Sequence, residues 1–174
     1  VVVNPSRETP FSALALAELA ERAGIPAGVF NVVTGDPAAI VGTLSESPTV
    51  RAMSFTGSTE IGRLIAGQCA PTVKRLVMEL GGHAPFILFD DADLDKAVDS
   101  AVSAKFATSG QDCLAANRMF VQRSVYKRFV EAFAARVRAL RVGPGLEPGV
   151  EIGPLMHERA VAKVESHAVS YTHL

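Results

Sequence analysis

The chain has 174 residues, of which 48% are hydrophobic and 20% charged, with a formal net charge of −1 at pH 7. This balance is typical of a folded globular protein and excludes an intrinsically disordered one. It gives no electrostatic basis for binding nucleic acid, which favours a basic face. The longest apolar runs, such as 85–89, are far too short to span a bilayer, so no membrane partner is expected.

The two ends of the sequence suggest a fragment of a longer protein. Val1–Val3 begins like a strand, without a starting Met or a basic and apolar leader, so no signal peptide is expected. Residues 170–174 continue no predicted element, and we expect the last few not to be native. Two cysteines, Cys69 and Cys113, are too few for a disulfide framework, which favours a reducing, cytoplasmic compartment.

Strand and helix patterns alternate through the first half of the chain. Thr9 is predicted to cap the first helix, with Pro10 as its first residue, and Gly24 to end it. The order β-α-β-α-β-α-β favours an α/β fold with a parallel, doubly wound sheet, which binds ligands at the carboxyl ends of its strands. The predicted strands are 1–3, 29–33, 50–55 and 74–80, and the predicted helices are 10–23, 37–44 and 59–69.

The pattern restarts after Gly81-Gly82, where we place a domain boundary that divides the chain into 1–81 and 82–174. An acidic segment precedes the next helix and suits its positive N-terminus. The predicted elements are strands at 85–89 and 119–122, helices at 94–108, 126–140 and 157–167, and a Gly- and Pro-rich loop at 143–154.

Cys113 is the first candidate for chemistry, because a thiol can attack a carbonyl carbon. It follows Gly110-Gln111-Asp112, a polar turn at the end of a predicted helix, which suits an exposed thiol. Asp112 has the opposite effect, since a neighbouring negative charge opposes formation of the thiolate. Cys69 lies on the apolar side of its helix and is interpreted as a buried structural residue.

Glu79 is the second candidate, because it ends an otherwise apolar strand at 76–80. A carboxylate in such a position is costly unless it is paired or functional. A strand-end residue that reaches solvent is the alternative interpretation. With a nucleophilic cysteine in the same chain, a general base that activates water becomes the better hypothesis.

Gly57, Ser58 and Gly62 open the helix after the third predicted strand. The spacing of the two glycines differs from the G-x-G-x-x-G fingerprint, but such a turn still lets a phosphate approach the backbone. A tight turn with an N-cap is the alternative. Gly35 and Asp36 follow the preceding strand, where a ribose or adenine is expected. The histidines and the acidic cluster 90–95 show no metal-ligand spacing, so no metal site is predicted.

Three of these segments closely resemble motifs of the NAD(P)-dependent aldehyde dehydrogenase superfamily. The resemblance runs from Val1 to about Val169, and longer stretches are similar to the succinate-semialdehyde dehydrogenases. It implies part of an aldehyde dehydrogenase fold, with 1–81 as the C-terminal part of a Rossmann-like cofactor domain and 82–174 as the N-terminal part of an α/β catalytic domain. The three motifs are 55–62, 78–82 and 110–113, and the longer stretches are 9–35, 84–97 and 161–165.

The resemblance implies oxidation of an aldehyde, with succinate semialdehyde as the expected substrate. Cys113 would add to the aldehyde to give a thiohemiacetal and then a thioester, and its backbone N–H would form half of the oxyanion hole. Glu79 would activate the water that releases the acid. Another small aldehyde, or an inactive truncated nucleotide-binding fragment, remain alternatives. The resemblance also implies a homo-oligomer, a dimer or tetramer, and we expect the 174-residue chain alone to be inactive.

NADP or NAD is the implied cofactor. Gly57 and Ser58 would meet its pyrophosphate, and Leu80 would lie near the nicotinamide. The family usually has Lys at the position of Asn4, so one cation is lost here. Arg7 could pair with a 2′-phosphate, which favours NADP. The full set of expected cofactor contacts is Asn4, Pro5, Ser6, Arg7, Gly35, Gly57, Ser58, Gly62, Leu80 and Gly81.

Overall fold

A computed structural model describes the backbone of residues 1–172 and the side-chain surroundings of residues 1–168. The chain divides into two compact units, an N-terminal unit, Val1–Leu80, and a C-terminal unit, Gly81–Leu174. Helices alternate with strands that pair in parallel, which confirms the expected α/β class. None of the helices within residues 1–172 is both long and apolar enough to cross a membrane.

The N-terminal unit contains four strands and three helices. Two of the helices begin at side-chain caps: Asp36 accepts a hydrogen bond from Ala39 N at 2.9 Å, and Ser58 accepts one from Ile61 N at 3.3 Å. The elements are β1 (Val2–Val3), α1 (Phe11–Arg22), β2 (Asn31–Val32), α2 (Pro37–Glu46), β3 (Ala52–Gly57), α3 (Thr59–Cys69) and β4 (Arg75–Leu80).

The four strands of this unit pair two by two. β1 lies beside β2, with Val3 opposite Val32, and β3 lies beside β4, with Phe55 opposite Met78. Both pairs are parallel, but the described strands do not join into one four-stranded sheet. Alternation along the sequence predicts the direction of the strands, whereas their lateral order depends on hydrogen bonds between distant segments.

The predicted cap of α1 is wrong. Pro10, with φ −76° and ψ −23°, occupies the N-cap position, and no side chain caps this helix. Thr9 instead donates its backbone N–H to Ser6 O at 3.2 Å, so the turn that precedes the helix already holds it. The predicted stop is confirmed, because Gly24 follows the helix with φ +80°, a conformation that glycine adopts without strain.

The described part of the C-terminal unit, residues 81–172, contains one parallel pair of strands and three helices. The segment 143–154 is a loop, as predicted, apart from one isolated bridge between Val142 and Ile152. β6 and α5 begin earlier than the predicted starts at 119 and 126. The elements are β5 (Ala84–Leu88), α4 (Leu94–Phe106), β6 (Ala116–Val121), α5 (Arg123–Arg138) and α6 (Glu158–Thr172), with a short 3₁₀ turn at Ala107–Gly110 after α4.

A hydrophobic core closes the C-terminal unit between its strand pair and the helices α4 and α5. Its buried members are Leu88, Val98, Ala101 and Phe129. Four aromatic rings stack through it at centroid separations of 6.4, 5.6 and 6.4 Å. This phenylalanine ladder consists of Phe86, Phe129, Phe133 and Phe106, in that order.

The interior of the N-terminal unit contains a charged residue beside its apolar ones. Ile65 and Cys69 of α3 are almost fully buried, as expected for a structural Cys69. Lys74 is also buried, and its ammonium donates to Ser47 O at 2.6 Å and Val50 O at 2.8 Å. A buried charge is tolerated only when such partners replace water, so Lys74 ties the end of α2 to the start of β4.

Candidate active site

The turns after β1 and β2 meet at one edge, because carboxyl ends of parallel strands point the same way. Asn4 donates its amide to Val33 O at 2.9 Å, and Arg7 donates Nε to Gly35 O at 3.2 Å. Arg7 also forms an ion pair with Asp36. The structure therefore brings together several residues expected around the adenosine ribose. We call this group, with the intervening Pro5-Ser6, the β1–β2 edge.

Asp36 is a charged member of the β1–β2 edge. The backbone N–H of Ala39, followed by the guanidinium of Arg7, holds the pKa of the Asp36 carboxyl below its ordinary value of 3.8. Because both contacts favour the charged form, Asp36 is a carboxylate at neutral pH. Sequence reasoning noted Asp36 beside Gly35 but did not foresee that it would pair with Arg7.

The turn between β3 and α3 presents backbone to solvent. Gly57 ends the strand and Ser58 caps the helix, and both are exposed. A Cβ at Gly57 would overlap the ring of Phe55, so only glycine fits this backbone without moving the ring. The open N-terminus of an 11-residue helix carries unpaired N–H groups and partial positive charge, which suits a phosphate.

Gly62 has a packing role that sequence reasoning did not assign. A Cβ at this position would lie 2.7 Å from the Leu80 Cδ2 atom of the neighbouring strand β4. The close approach of α3 to β4 therefore accounts for this glycine. Leu80 is half-buried, and it sits opposite Gly57 in the strand register.

Glu79 lies on the exposed face of β4, opposite Thr56 of β3. Its side chain forms no ion pair or hydrogen bond within the described part of the chain. The alternating burial along this strand places Leu80 inward and Glu79 outward. Gly81 follows directly, at the start of the C-terminal unit, with open space around its α-carbon.

Cys113 is an exposed, free thiol in the loop between α4 and β6. Three consecutive residues in this loop, Thr108, Ser109 and Gly110, have φ values of 51°, 57° and 73°. Left-handed backbone is strained for Thr and Ser, so surrounding contacts must hold the loop in this form.

Two side chains of the Cys113 loop accept hydrogen bonds from the segment 153–156. Ser109 Oγ accepts from Gly153 N at 2.9 Å, and Gln111 Oε1 accepts from Met156 N at 3.2 Å. These contacts fix the strained turn just before Cys113. Sequence reasoning missed them, because the partners are more than 40 residues apart and no local pattern joins them.

The residues next to Cys113 leave its backbone donor available. Asp112 accepts a hydrogen bond from Leu114 N at 2.9 Å and so forms a local turn. Within residues 1–172, no group accepts a hydrogen bond from the Cys113 N–H. A backbone N–H beside an exposed thiol is placed to stabilise the oxyanion that develops on a carbonyl oxygen when the thiol attacks the carbonyl carbon.

Glu79 lies in the N-terminal unit and Cys113 in the C-terminal unit. The part of the chain that the structure describes contains no group of three or more His, Cys, Asp or Glu that could hold a metal ion. His173 lies outside the described residues.

The N-terminal unit thus presents a strand-end carboxylate and an open helix N-terminus, and the C-terminal unit presents an exposed, free thiol. The aldehyde dehydrogenase family matches residues 1–171. The chain belongs to the aldehyde dehydrogenase family. The resemblance found in the three motifs is therefore confirmed.

Individual members of this family are closely similar to the chain. A succinate-semialdehyde dehydrogenase [NADP(+)] of Escherichia coli is 59% identical over 167 residues, which cover 96% of this chain and 35% of that protein. A 3-sulfolactaldehyde dehydrogenase of Pseudomonas putida is 58% identical over 96% of this chain and 34% of that protein.

The fold also matches that of solved members of the aldehyde dehydrogenase family. The crystal structure of an E. coli NADP dependent enzyme superimposes with a TM-score of 0.93 at 59% identity, covering 95% of this chain and 34% of that one. The chain thus spans about a third of the length of the relatives it matches.

Proposed function

We propose that the whole protein oxidises a small aldehyde to a carboxylic acid through a thioester on Cys113, with NADP or NAD as the cofactor. The observation that carries this proposal is the exposed Cys113 thiol, which follows a strained turn and whose own backbone N–H has no hydrogen-bond acceptor among residues 1–172. Membership of the aldehyde dehydrogenase family supports it.

Cys113 is the nucleophile in this proposal. Its thiolate forms a bond to the aldehyde carbon, and the negative charge that develops on oxygen is stabilised by the Cys113 N–H. A nicotinamide held by the N-terminal unit would supply the hydride acceptor that oxidation of the thiohemiacetal to the thioester requires. The anchors at Ser109 and Gln111 hold the loop, so the thiol and the N–H keep their relative position.

Glu79 is the proposed general base for the second half of the reaction. Its exposed carboxylate accepts a proton from water while the water oxygen attacks the thioester carbon. The C–S bond then breaks, which releases the acid and regenerates the Cys113 thiolate, and Glu79 gives its proton up to solvent. The absence of a side-chain partner within the described residues leaves the carboxylate free for this role.

The donor set of the N-terminal unit fits a dinucleotide. Arg7 and Asn4, whose side chains lie at the β1–β2 edge, would meet the adenosine ribose, and the open N-terminus of α3 at Gly57-Ser58 would meet the pyrophosphate. The E. coli relative carries NADP in its name, which supports NADP for this chain. The other predicted contacts, Pro5, Ser6, Gly35, Gly62, Leu80 and Gly81, stay predictions.

Succinate semialdehyde is the proposed substrate. The two relatives described above are named for short aldehydes with an acidic group at the far end. Because the two relatives are named for different aldehydes, another small, anionic aldehyde is the second candidate substrate. The specific alternative is 3-sulfolactaldehyde. Assembly as a homodimer or homotetramer, the division into a cofactor domain and a catalytic domain, and a cytoplasmic location stay predictions.

The test is hydride transfer by the whole protein, with succinate semialdehyde and with 3-sulfolactaldehyde, and with NADP and NAD in parallel. We expect Cys113→Ala to lower kcat by at least about 1,000-fold, since no acyl intermediate can form. Cys69→Ala is the matched control, because it removes the buried thiol and should retain turnover.

Thiol labelling separates the enzyme from a module that only binds nucleotide. An aldehyde substrate with cofactor should protect Cys113 from alkylation and leave a transient acyl group on its peptide in mass spectrometry. Turnover that persists in Cys113→Ala would refute the mechanism. The 174-residue chain alone is expected to show no turnover.

A further inference from the structure

The β1–β2 edge holds an arginine that is already paired. Arg7 makes an ion pair with Asp36 and also donates Nε to Gly35 O at 3.2 Å. The pairing follows from the parallel register of β1 and β2, which places the turn after Val3 beside the turn after Val32. A cation that would meet a 2′-phosphate is thus partly occupied by a carboxylate of its own chain.

The Asp36 carboxylate is held beside Arg7 by a second contact. Its other carboxylate oxygen accepts the hydrogen bond from Ala39 N at 2.9 Å that caps α2. The cap fixes the carboxylate beside Arg7 rather than leaving it free to swing away. The charge of Asp36 is therefore a fixed feature of this edge at neutral pH.

Both partners are open to a ligand. The side chains of Arg7 and Asp36 are 57% and 60% exposed. An ion pair this exposed is weak, so a phosphate can compete for the guanidinium. The competing phosphate then lies within a few ångströms of Asp36, and like charges at that distance repel. A ribose 2′-hydroxyl meets no such repulsion, since it can donate a hydrogen bond to the same carboxylate.

We propose that Asp36 is a specificity-determining residue of the β1–β2 edge, which restrains Arg7 and reduces the preference for an adenosine that carries a 2′-phosphate. The inference deepens the proposed function and rests on its placement of the ribose at this edge. Arg7 by itself favours binding of NADP. When Arg7 is paired with Asp36, the difference in affinity between NADP and NAD becomes smaller.

The test measures binding of two nucleotide probes, 2′,5′-ADP and 5′-ADP, to the whole protein by calorimetry at low salt. Asp36→Asn removes the charge but keeps a side chain that caps helices equally well. We expect this variant to bind 2′,5′-ADP about 3- to 10-fold more tightly, as for removal of one unit charge near a surface phosphate, with 5′-ADP unchanged or weakened. The gain should shrink at high salt.

Glu18→Gln is the matched control. Glu18 is also an exposed carboxylate of the N-terminal unit paired with an arginine, Arg22, at 2.9 Å. This variant changes the net charge by the same amount, and it should leave the affinity for both probes unchanged. If Glu18→Gln raised the affinity for 2′,5′-ADP as much as Asp36→Asn does, the effect would come from net charge alone, and the proposal would be overturned.

A double-mutant cycle with Arg7→Gln completes the design. Asp36 acts partly through Arg7. The increase in affinity for 2′,5′-ADP caused by Asp36→Asn should therefore be clearly smaller when Arg7→Gln is also present than when Arg7 is intact. An Asp36→Asn protein with unchanged affinity for 2′,5′-ADP refutes the inference while wild-type turnover preserves the proposed function. Binding that follows the prediction without turnover of any aldehyde refutes the proposed function and preserves the inference. Failure of both probes to bind the wild type refutes the placement of the ribose and the inference together.

Discussion

The two units are stabilised in different ways. In the C-terminal unit, the phenylalanine ladder and its aliphatic neighbours form an apolar core between strands and helices. In the N-terminal unit, the buried set includes the charged Lys74, and α1 contains no buried residue. Apolar packing is non-directional, whereas the carbonyl contacts of Lys74 demand specific backbone positions. The stability of the C-terminal unit thus depends on how well apolar side chains fill its core. The stability of the N-terminal unit depends more on the exact positions of backbone groups, such as the two carbonyls that accept from Lys74.

The largest predicted effect is in the C-terminal core. Phe129→Ala removes a ring that is 2% exposed and stacks on two others, so we expect a loss of about 3–5 kcal/mol in the free energy of unfolding. Chemical denaturation followed by circular dichroism measures it. Tyr126→Ala, at an exposed position of the same helix, should change the stability by less than about 0.5 kcal/mol. Equal losses in the two variants would show that the C-terminal unit does not depend on its apolar core.

A glycine pair in α3 tests the geometric side of the comparison. Gly67 has open space around it, so Gly67→Ala should stabilise the protein by about 0.5–1 kcal/mol through helix propensity. Gly62→Ala gains the same propensity but forces Leu80 to move, so a net loss of about 1–2 kcal/mol is expected from overpacking. Thermal unfolding of both variants gives the answer, and similar shifts of the two in the same direction would argue against close packing of α3 on β4.

The smallest predicted effect is the response of Asp36 to acid. The Asp36 pKa is held below 3.8, chiefly by the N–H of Ala39, so its stabilising contribution is fully present above pH 3.8 and disappears as the pH falls through the lowered folded pKa. An NMR titration of the carboxyl carbon should give a midpoint below 3.8. Amide exchange at the start of α2 should rise over the same range, and Asp36→Asn should abolish that pH dependence. A midpoint at or above 3.8 would show that the cap and the ion pair do not form in solution.

The sequence predicted the elements of the fold better than their partners. α3 was predicted with the same bounds that the structure shows, because Ser58 caps it and the helix formers end at Cys69. β6 was predicted to start at 119 although it starts at Ala116, since Ala116 and Asn117 are residue types of low strand propensity. Local sequence patterns did not predict which strands pair side by side. They also did not predict the turn before α1, in which Thr9 is hydrogen-bonded to Ser6 and Pro10 becomes the N-cap.

The candidate site shows the same division. Residue types and turns predicted the exposed thiol of Cys113 and the strand-end position of Glu79. The anchors of the Cys113 loop and the Arg7–Asp36 pair join segments 29 or more residues apart. Such contacts depend on how elements pack, which a single sequence read for periodicity does not contain.

The phenylalanine ladder gives the protein a spectroscopic signature. The sequence contains nine Phe, two Tyr and no Trp. In a protein whose cysteines are free, near-ultraviolet circular dichroism arises from aromatic side chains held in fixed, asymmetric surroundings, and it vanishes when packing becomes fluid. Four of the nine Phe rings are stacked in one core, and Tyr126 is exposed. The dichroism of phenylalanine is therefore an intrinsic, label-free report on the order of the C-terminal unit, with no indole signal to mask it.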